Sequence, residues 1–418
     1  MSLTKRNQEK RKDRKKLFKK IKKQVQGITL IALVVTVIVL LILAGVAINL
    51  TVGNNGLFRR AQNAADTWQM AEQNERSEME QAGNFLDDYT SEYNKATTVS
   101  YAKQLNKPFE NDTKITDDLG NEVRIPAGFK IAQDSATLVE DGIVIEDRSG
   151  NQFVWIPART EDEEGNEAGA TIKLSTGGTA TIVYQRIDYG KQSTKFEDFS
   201  ETLLDNEKLS VDKWGGYYIG RYEAGDLEST KKKTMRSSTS NQNNTITIKS
   251  EQVPYNYISR ANAQILAEEM AETENYITAT TCLISSYAWD TAIDFIQKTN
   301  SDNDHNDYGN SSPEGNYSDS PAFKYIDINE TEQLGPNGTI IPTGNTTPIS
   351  NIYDMGGNLW EYTTENFTQH DTNIFVYRGG DFNDGSYEIY SAGCRYNNKG
   401  DANDSISFRI ALYCALWL

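Results

Sequence analysis

Histidine is nearly absent: His305 and His370 are the only two in 418 residues. That excludes a multi-histidine metal centre and leaves histidine-based acid–base chemistry little to work with. Three cysteines, Cys282, Cys394 and Cys414, exclude a disulfide scaffold. Positive charge is scarce beyond the N-terminus, where 30 Lys/Arg face 57 Asp/Glu after residue 24. Such an acidic body is a poor partner for nucleic acid. AVILMFWYC residues make up 37% of the chain and glycine adds 30 more, enough for a sizeable core and too many for wholesale disorder. The length allows two to three domains.

The first 24 residues reverse the balance, with twelve Lys/Arg against Glu9 and Asp13. From Gln24 to Phe58 no residue is charged, and Ile28 to Leu50 reads ITLIALVVTVIVLLILAGVAINL. As a helix this stretch spans ~35 Å, enough for a hydrocarbon layer of ~30 Å. The alternative of a buried core helix suits the length poorly. A secretory signal peptide should have an apolar region of ~7–15 residues and then a small-residue cleavage site, and this stretch is longer. Basic residues before the span and acids after it place the N-terminus in the cytoplasm and the bulk of the chain outside.

The segment KKQVQGITLIALVVTVIVLLILAG resembles the N-terminus of type IV pilins and pseudopilins, in the variant seen on surface proteins of Gram-positive bacteria. The resemblance implies a basic leader over 1–27, cleaved between Gly27 and Ile28 by a prepilin peptidase. A transmembrane helix over 28–50 would follow. The family usually has Phe at mature position one, where this chain has Ile28, and Glu at position five, where it has Ala32. That Glu is thought to neutralise a neighbouring subunit's N-terminal amine, so its absence argues against filament assembly more than against cleavage. A plain single-span anchor is the alternative.

Residues 51–98 are expected to form a stalk. Apolar groups from Leu57 to Tyr93 recur in steps of three and four, as on an amphipathic helix, with Glu75 and Glu78 interrupting the stripe. From Val99 the texture changes to short β-like runs and Asn/Asp/Gly turns. DGIVIEDRSGNQFVWIP (141–157) reverses at Arg148–Asn151 and predicts a hairpin. GYYIGRY (216–222) predicts a strand. SRANAQILAEEMAET (259–273) predicts a helix capped by Ser259, and YAWDTAIDFIQK (287–298) another capped by Ser285 or Ser286. Long polar stretches at 159–180, 226–252, 299–320 and 327–350 read as loops. The expected class is α+β. Trp360 and Phe408 are expected in the core. Arg378 and Arg409, set among apolar residues, should each pair with a carboxylate or backbone carbonyls, Glu361 being a candidate partner.

FVWIPA (153–158), YYIGRYEAG (217–225), YISRANAQILAEEM (257–270), SSYAWDTAIDFI (285–296), NIYDMGGNLWEYT (351–363), VYRGGDF (376–382) and SFRIALY (407–413) stand in the order found in the formylglycine-generating enzyme family. Residues 110–413 resemble that family. The resemblance implies a C-type-lectin-like head over 99–418: a small twisted sheet, two helices and long loops. The family's oxidases use two cysteines five residues apart after RGG. Here those positions hold Asp384 and Ile389, which cannot supply the thiolates that bind copper or form a reactive disulfide. Iron-dependent relatives need a histidine-rich site that two histidines do not provide. The head is therefore expected to be catalytically inactive, with an oxidase using displaced cysteines as an alternative. A Cys282–Cys394 bridge and three buried free thiols are both open readings.

Calcium has two candidate places. Asp302, Asp304 and Asn306 alternate, but Asp307 and Pro313 occupy the Gly and Glu positions of an EF-hand, so the loop is not one. The family resemblance implies a possible structural calcium at Asn358 and Glu361. No other cofactor is expected. The segment DFNDGSYEIYSAGCRYNNKGDAND (381–404) is rich in Tyr, Asn, Asp, Ser and Gly, a composition suited to recognition and equally to a solvated loop. Lectin-fold proteins diversified by retroelements use the corresponding segment as their variable ligand face. That resemblance implies ligand contacts at Asp381, Phe382, Asn383, Asp384, Tyr387, Tyr390, Tyr396, Asn397 and Asn398. The expected function is a membrane-anchored, pilin-like surface protein whose head binds an extracellular protein or glycan. A structural filament subunit contacting other pilin copies is the rival.

Overall fold

The computed structural model describes residues 14–16, 31–44, 68, 71, 75, 97–160, 168–189, 199–226, 245–300, 308–309, 315–369, 372–385 and 392–415. The chain divides into two compact units, Met1–Tyr93 and Asn94–Leu418.

In the first unit, residues 31–44 are helical, and Leu33, Val37, Leu41 and their apolar neighbours are exposed. Among the described residues no helix is long and apolar enough to cross a membrane. Residues 28–30 and 45–50, the Gly27–Ile28 bond and nearly all of the predicted stalk lie outside the described residues.

The second unit is built on two sheets and two long helices. The strands that matter for the site are β1 (Lys130–Ile131), β2 (Val144–Glu146), β3 (Gln152–Pro157), β4 (Gly216–Gly220), β5 (Ala279–Leu283), β6 (Trp360–Gln369), β7 (Thr372–Arg378), β8 (Arg395–Asn398), β9 (Ile406–Phe408) and β10 (Ile410–Cys414). One sheet has the order β5-β10-β4-β3-β2-β1, and the other β8-β7-β6-β9. The helices are α1 (Arg260–Thr273) and α2 (Ser286–Thr299).

The local signals account for most of these elements. The hairpin β2–β3 reverses where expected, with Glu146 opposite Gln152. Its turn is closed by Asp147, whose carboxylate accepts the Asn151 amide N–H at 2.7 Å. Ser259 caps α1 by accepting the Asn262 N–H. Ser285, not Ser286, caps α2 by accepting the Ala288 N–H at 3.0 Å. Trp155, Tyr217, Tyr218, Trp289, Phe408 and Leu412 are buried in one continuous core. The polar stretches hold more strand than expected. Ala170–Lys173 pairs antiparallel with Thr179–Ile182, and Phe323–Ile326 with Glu332–Gly335. In both, the alternation is carried by Thr, Ile, Tyr and long polar residues, so polarity hid a period of two.

Candidate ligand-binding face

The face is assembled where α2 meets the β8-β7-β6-β9 sheet. Arg378 ends β7 and Arg395 begins β8, and the two are antiparallel partners. Both guanidiniums are fully buried and share one carboxylate: Arg378 donates to Asp290 Oδ1 and Arg395 to Asp290 Oδ2. Asp290 sits on α2 and also accepts the Ile187 N–H at 2.9 Å. Glu365 on β6 closes the network. Its Oε2 accepts from Arg395 Nε at 3.0 Å and from the Ser286 hydroxyl at 2.5 Å. Arg186 Nε lies 3.3 Å from its Oε1. Beside it, burial and the charge of Glu365 push Glu201 up to about 8. The ends of the segment 379–394 are thus clamped to a helix by buried, mutually compensating charge.

A second clamp holds the sheet from below. Arg409 is buried and forked onto Glu361, at 2.8 Å from Nε to Oε2 and 2.6 Å from Nη2 to Oε1. Its remaining N–H groups donate to the carbonyls of Gly220, Tyr353 and Asp354. Glu361, the candidate carboxylate for either arginine, is taken by Arg409. Arg378, by contrast, takes Asp290, which the local sequence did not single out.

Between the clamps the chain turns tightly. Gly379 adopts φ +98°, and a Cβ there would stand 2.9 Å from the Met355 carbonyl. The Gly379 carbonyl accepts from Gly357 N–H at 3.0 Å and from the Tyr317 hydroxyl at 2.6 Å. Phe382 N–H donates to the Asn358 carbonyl at 3.1 Å, and Ser318 donates twice to the Asp384 carbonyl.

The expected contact residues divide into frame and face. Asp381 is 7% exposed, and its carboxylate accepts from Asn383 N–H and from Ser405, so it closes the turn. Asn398 accepts the Gly400 N–H at 2.6 Å and meets the Tyr362 hydroxyl, also as frame. Asn383 and Tyr396 are exposed, and Phe382 and Asp384 are half-buried. Tyr396 lies against Trp360 and Tyr377, with ring centroids at 5.8 and 5.7 Å. Asp384 accepts a hydrogen bond from Trp360. Burial and the charge of Asp381 lift it to about 6. Asn397 pairs with Val376 through its backbone. Tyr387, Tyr390 and Ile389 lie outside the described residues, as does the Asn397 side chain. Sequence reading places Trp360 in the core and does not single out Tyr377, so it misses both as neighbours of the face.

The oxidase position at Asp384 thus carries a carboxylate bonded to an indole. Cys282, Cys394 and Cys414 are buried thiols outside any disulfide, so the Cys282–Cys394 bridge is not formed. Burial raises the thiols of Cys282 and Cys414, the latter to about 12, away from thiolate chemistry. Nor does calcium fit Asn358 and Glu361. Both Glu361 oxygens face Arg409, and Asn358 Oδ1 accepts the Ile341 N–H at 3.0 Å and the Asn316 amide at 3.1 Å. Among the described residues no three His, Cys, Asp or Glu side chains are grouped to hold a metal ion.

Comparison with known proteins places this architecture. Residues 195–413 match the sulfatase-modifying factor enzyme 1-like domain. No curated protein matches. Among solved structures, PvdO from Pseudomonas aeruginosa is 14% identical, with 65% of this chain and 97% of that one covered and a TM-score of 0.33. Treponema denticola variable protein 1 is 14% identical, with 64% and 96% covered and a TM-score of 0.33. CarF is 17% identical, with 47% and 86% covered and a TM-score of 0.30. The matched residues are more than half of the chain, and the chain belongs to the sulfatase-modifying factor enzyme 1-like family.

Proposed function

We propose that this protein is a membrane-anchored surface protein whose head binds an extracellular protein or glycan and carries out no oxidation. The observation that carries the reading is the segment 379–394: both ends are fixed by Asp290, and its neighbourhood offers Asn383, Asp384 and Tyr396 in place of reactive cysteines. A rigid frame carrying an exposed tyrosine and adaptable polar groups is the physical arrangement of a recognition surface. The basic leader, the apolar span over 28–50 and the acidic remainder support anchoring with the head outside.

The test is an array of glycans and surface proteins probed with the full-length chain. Saturable binding that Tyr396→Ala weakens supports the reading. Oxidation of a cysteine-containing peptide by the same preparation would replace it with the oxidase alternative.

A further inference from the structure

Strand β4 ends at Gly220, whose carbonyl Arg409 holds, and begins at Gly216, about 13 Å away along the strand. At the Gly216 end two cations flank one indole. Lys213 and Trp214 lie on the wide π-type turn Ser210–Trp214, a geometry that recurs at functional sites. The turn is pinned: the Ser210 hydroxyl donates to the Gly216 carbonyl at 2.7 Å and accepts the Cys414 N–H at 3.1 Å. Arg124, on the strand Glu122–Ile125, is tied to β4 through its carbonyl, which accepts the Tyr218 hydroxyl at 2.7 Å. Its guanidinium carbon stands 4.0 Å from the centroid of the Trp214 ring, and Lys213 Nζ stands 5.1 Å from it. Arg159 lies against the next residue, 3.5 Å from the point a Cβ on Gly215 would occupy.

This charge is not compensated. Among the described residues Arg124, Arg159 and Lys213 take part in no ion pair. Two neighbouring carboxylates are committed elsewhere. Asp112 accepts from the Ala127 N–H at 3.0 Å and from the Thr278 hydroxyl, and Asp212 from Lys208 Nζ at 2.6 Å and from the Thr160 N–H at 3.1 Å. Two donors are also unmet: Arg124 Nε and Trp214 Nε1 are buried and have no acceptor. A buried donor without an acceptor is destabilising, and here two of them sit on stacked side chains in a body where acids outnumber bases.

We propose that this corner binds a phosphate group, as a second ligand site separate from the C-terminal face. Arg124 and Lys213 supply charge, Arg159 adds to it, and the two unmet N–H groups supply directed donors. A phosphate's charge and several acceptor oxygens match a guanidinium, an ammonium and two N–H donors better than the two oxygens of a carboxylate. Stacking of a sugar or base on Trp214 is no part of the site, since Arg124 and Lys213 already lie over the ring. Both unmet N–H groups are covered, so the anion reaches them after a side-chain shift, which Lys213, exposed and without a hydrogen bond among the described residues, can make. This inference does not depend on what the face binds.

The experiment is a titration of the full-length chain in detergent with inorganic phosphate, glycerol 3-phosphate and micellar phosphatidylglycerol, read by calorimetry and tryptophan emission. Acetate at matched ionic strength is the control. Wild type should bind saturably, and more weakly as salt rises. Lys213→Gln, an exposed change, should weaken binding about fivefold or more with an unchanged melting curve. Arg124→Lys should weaken it too, because an ammonium does not replace the planar fork. Trp214→Phe should lose the emission change while calorimetry still records weaker binding. Anion uptake by the basic N-terminus is common to all variants and drops out of the comparison. A response to the soluble phosphates puts the group on a soluble ligand, and a response to phosphatidylglycerol alone puts it on a lipid; either upholds the site. Equal binding by wild type and Lys213→Gln, no saturable response to any of the three probes, or equal affinity for acetate would overturn it. So would phosphate binding that appears only after the acids of EDEEGNE (161–167) are changed to amides, since the chain's own carboxylates would then hold these cations.

Discussion

Arg378 and Arg395 face each other across an antiparallel ladder and divide the two oxygens of Asp290 between them. Two like charges side by side in a core are tolerable only because that carboxylate, with Glu365, compensates both. Removing one partner leaves uncompensated buried charge. Asp290→Ala should cost about 3–5 kcal/mol in denaturant unfolding and should speed amide exchange through residues 379–394. A loss below about 1 kcal/mol, the range of an exposed pair, would show that the clamp is not under these charges.

Asp384 gives the face a pH dependence of known sign. Its carboxyl is raised from 3.8 to about 6, first by burial and then by Asp381. Its contribution to stability is complete below about pH 4 and declines as pH rises through about 6. Asp384→Asn keeps an acceptor for Trp360 and cannot ionise. It should flatten the melting-temperature profile between those limits and converge with wild type at the acid end. Because the group is partly exposed, the slope is small. A steeper profile in the variant would reverse the assignment.

The three thiols offer a separate check. Thiol titration of the denatured, unreduced chain should return three thiols per molecule, as Cys282, Cys394 and Cys414 form no disulfide. Replacing all three by Ala should leave ligand capture intact and bind no less copper than wild type, which should bind none stoichiometrically. Loss of capture, or copper bound only by wild type, would favour the oxidase with displaced cysteines.

The anchoring reading is checked by fractionation. The intact chain should sediment with membranes, and protease added to whole cells should remove residues 99–418. Recovery in sheared filaments with Ile28 as the N-terminus would favour the filament rival instead.

Much of the frame was legible because it rests on local rules. Ser259 and Ser285 announce helix starts, Asp147 and Gly150 announce a turn, and a lone Arg409 among apolar residues demands a partner such as Glu361. What was not legible depends on distance in sequence. Asp290 lies inside an amphipathic helix and gives no local sign that it will meet Arg378 and Arg395. Glu223, in YYIGRYEAG, reads as an ordinary polar residue after a strand, and only the fold brings it to Asn358. Asp381 and Asn398 looked like contacts by composition, yet their side chains close turns. Composition reports which groups can hydrogen-bond, and topology decides whether backbone or ligand receives the bond.

The central claim is that the head grips through its C-terminal segment and does not react. The direct measurement is equilibrium binding of full-length wild type and the Asn383→Ala/Tyr396→Ala variant to whichever array component wild type captures, with melting curves confirming that both are folded. The account predicts at least a tenfold weaker Kd for the folded variant, equivalent to about 1.4 kcal/mol. An unchanged Kd would contradict it.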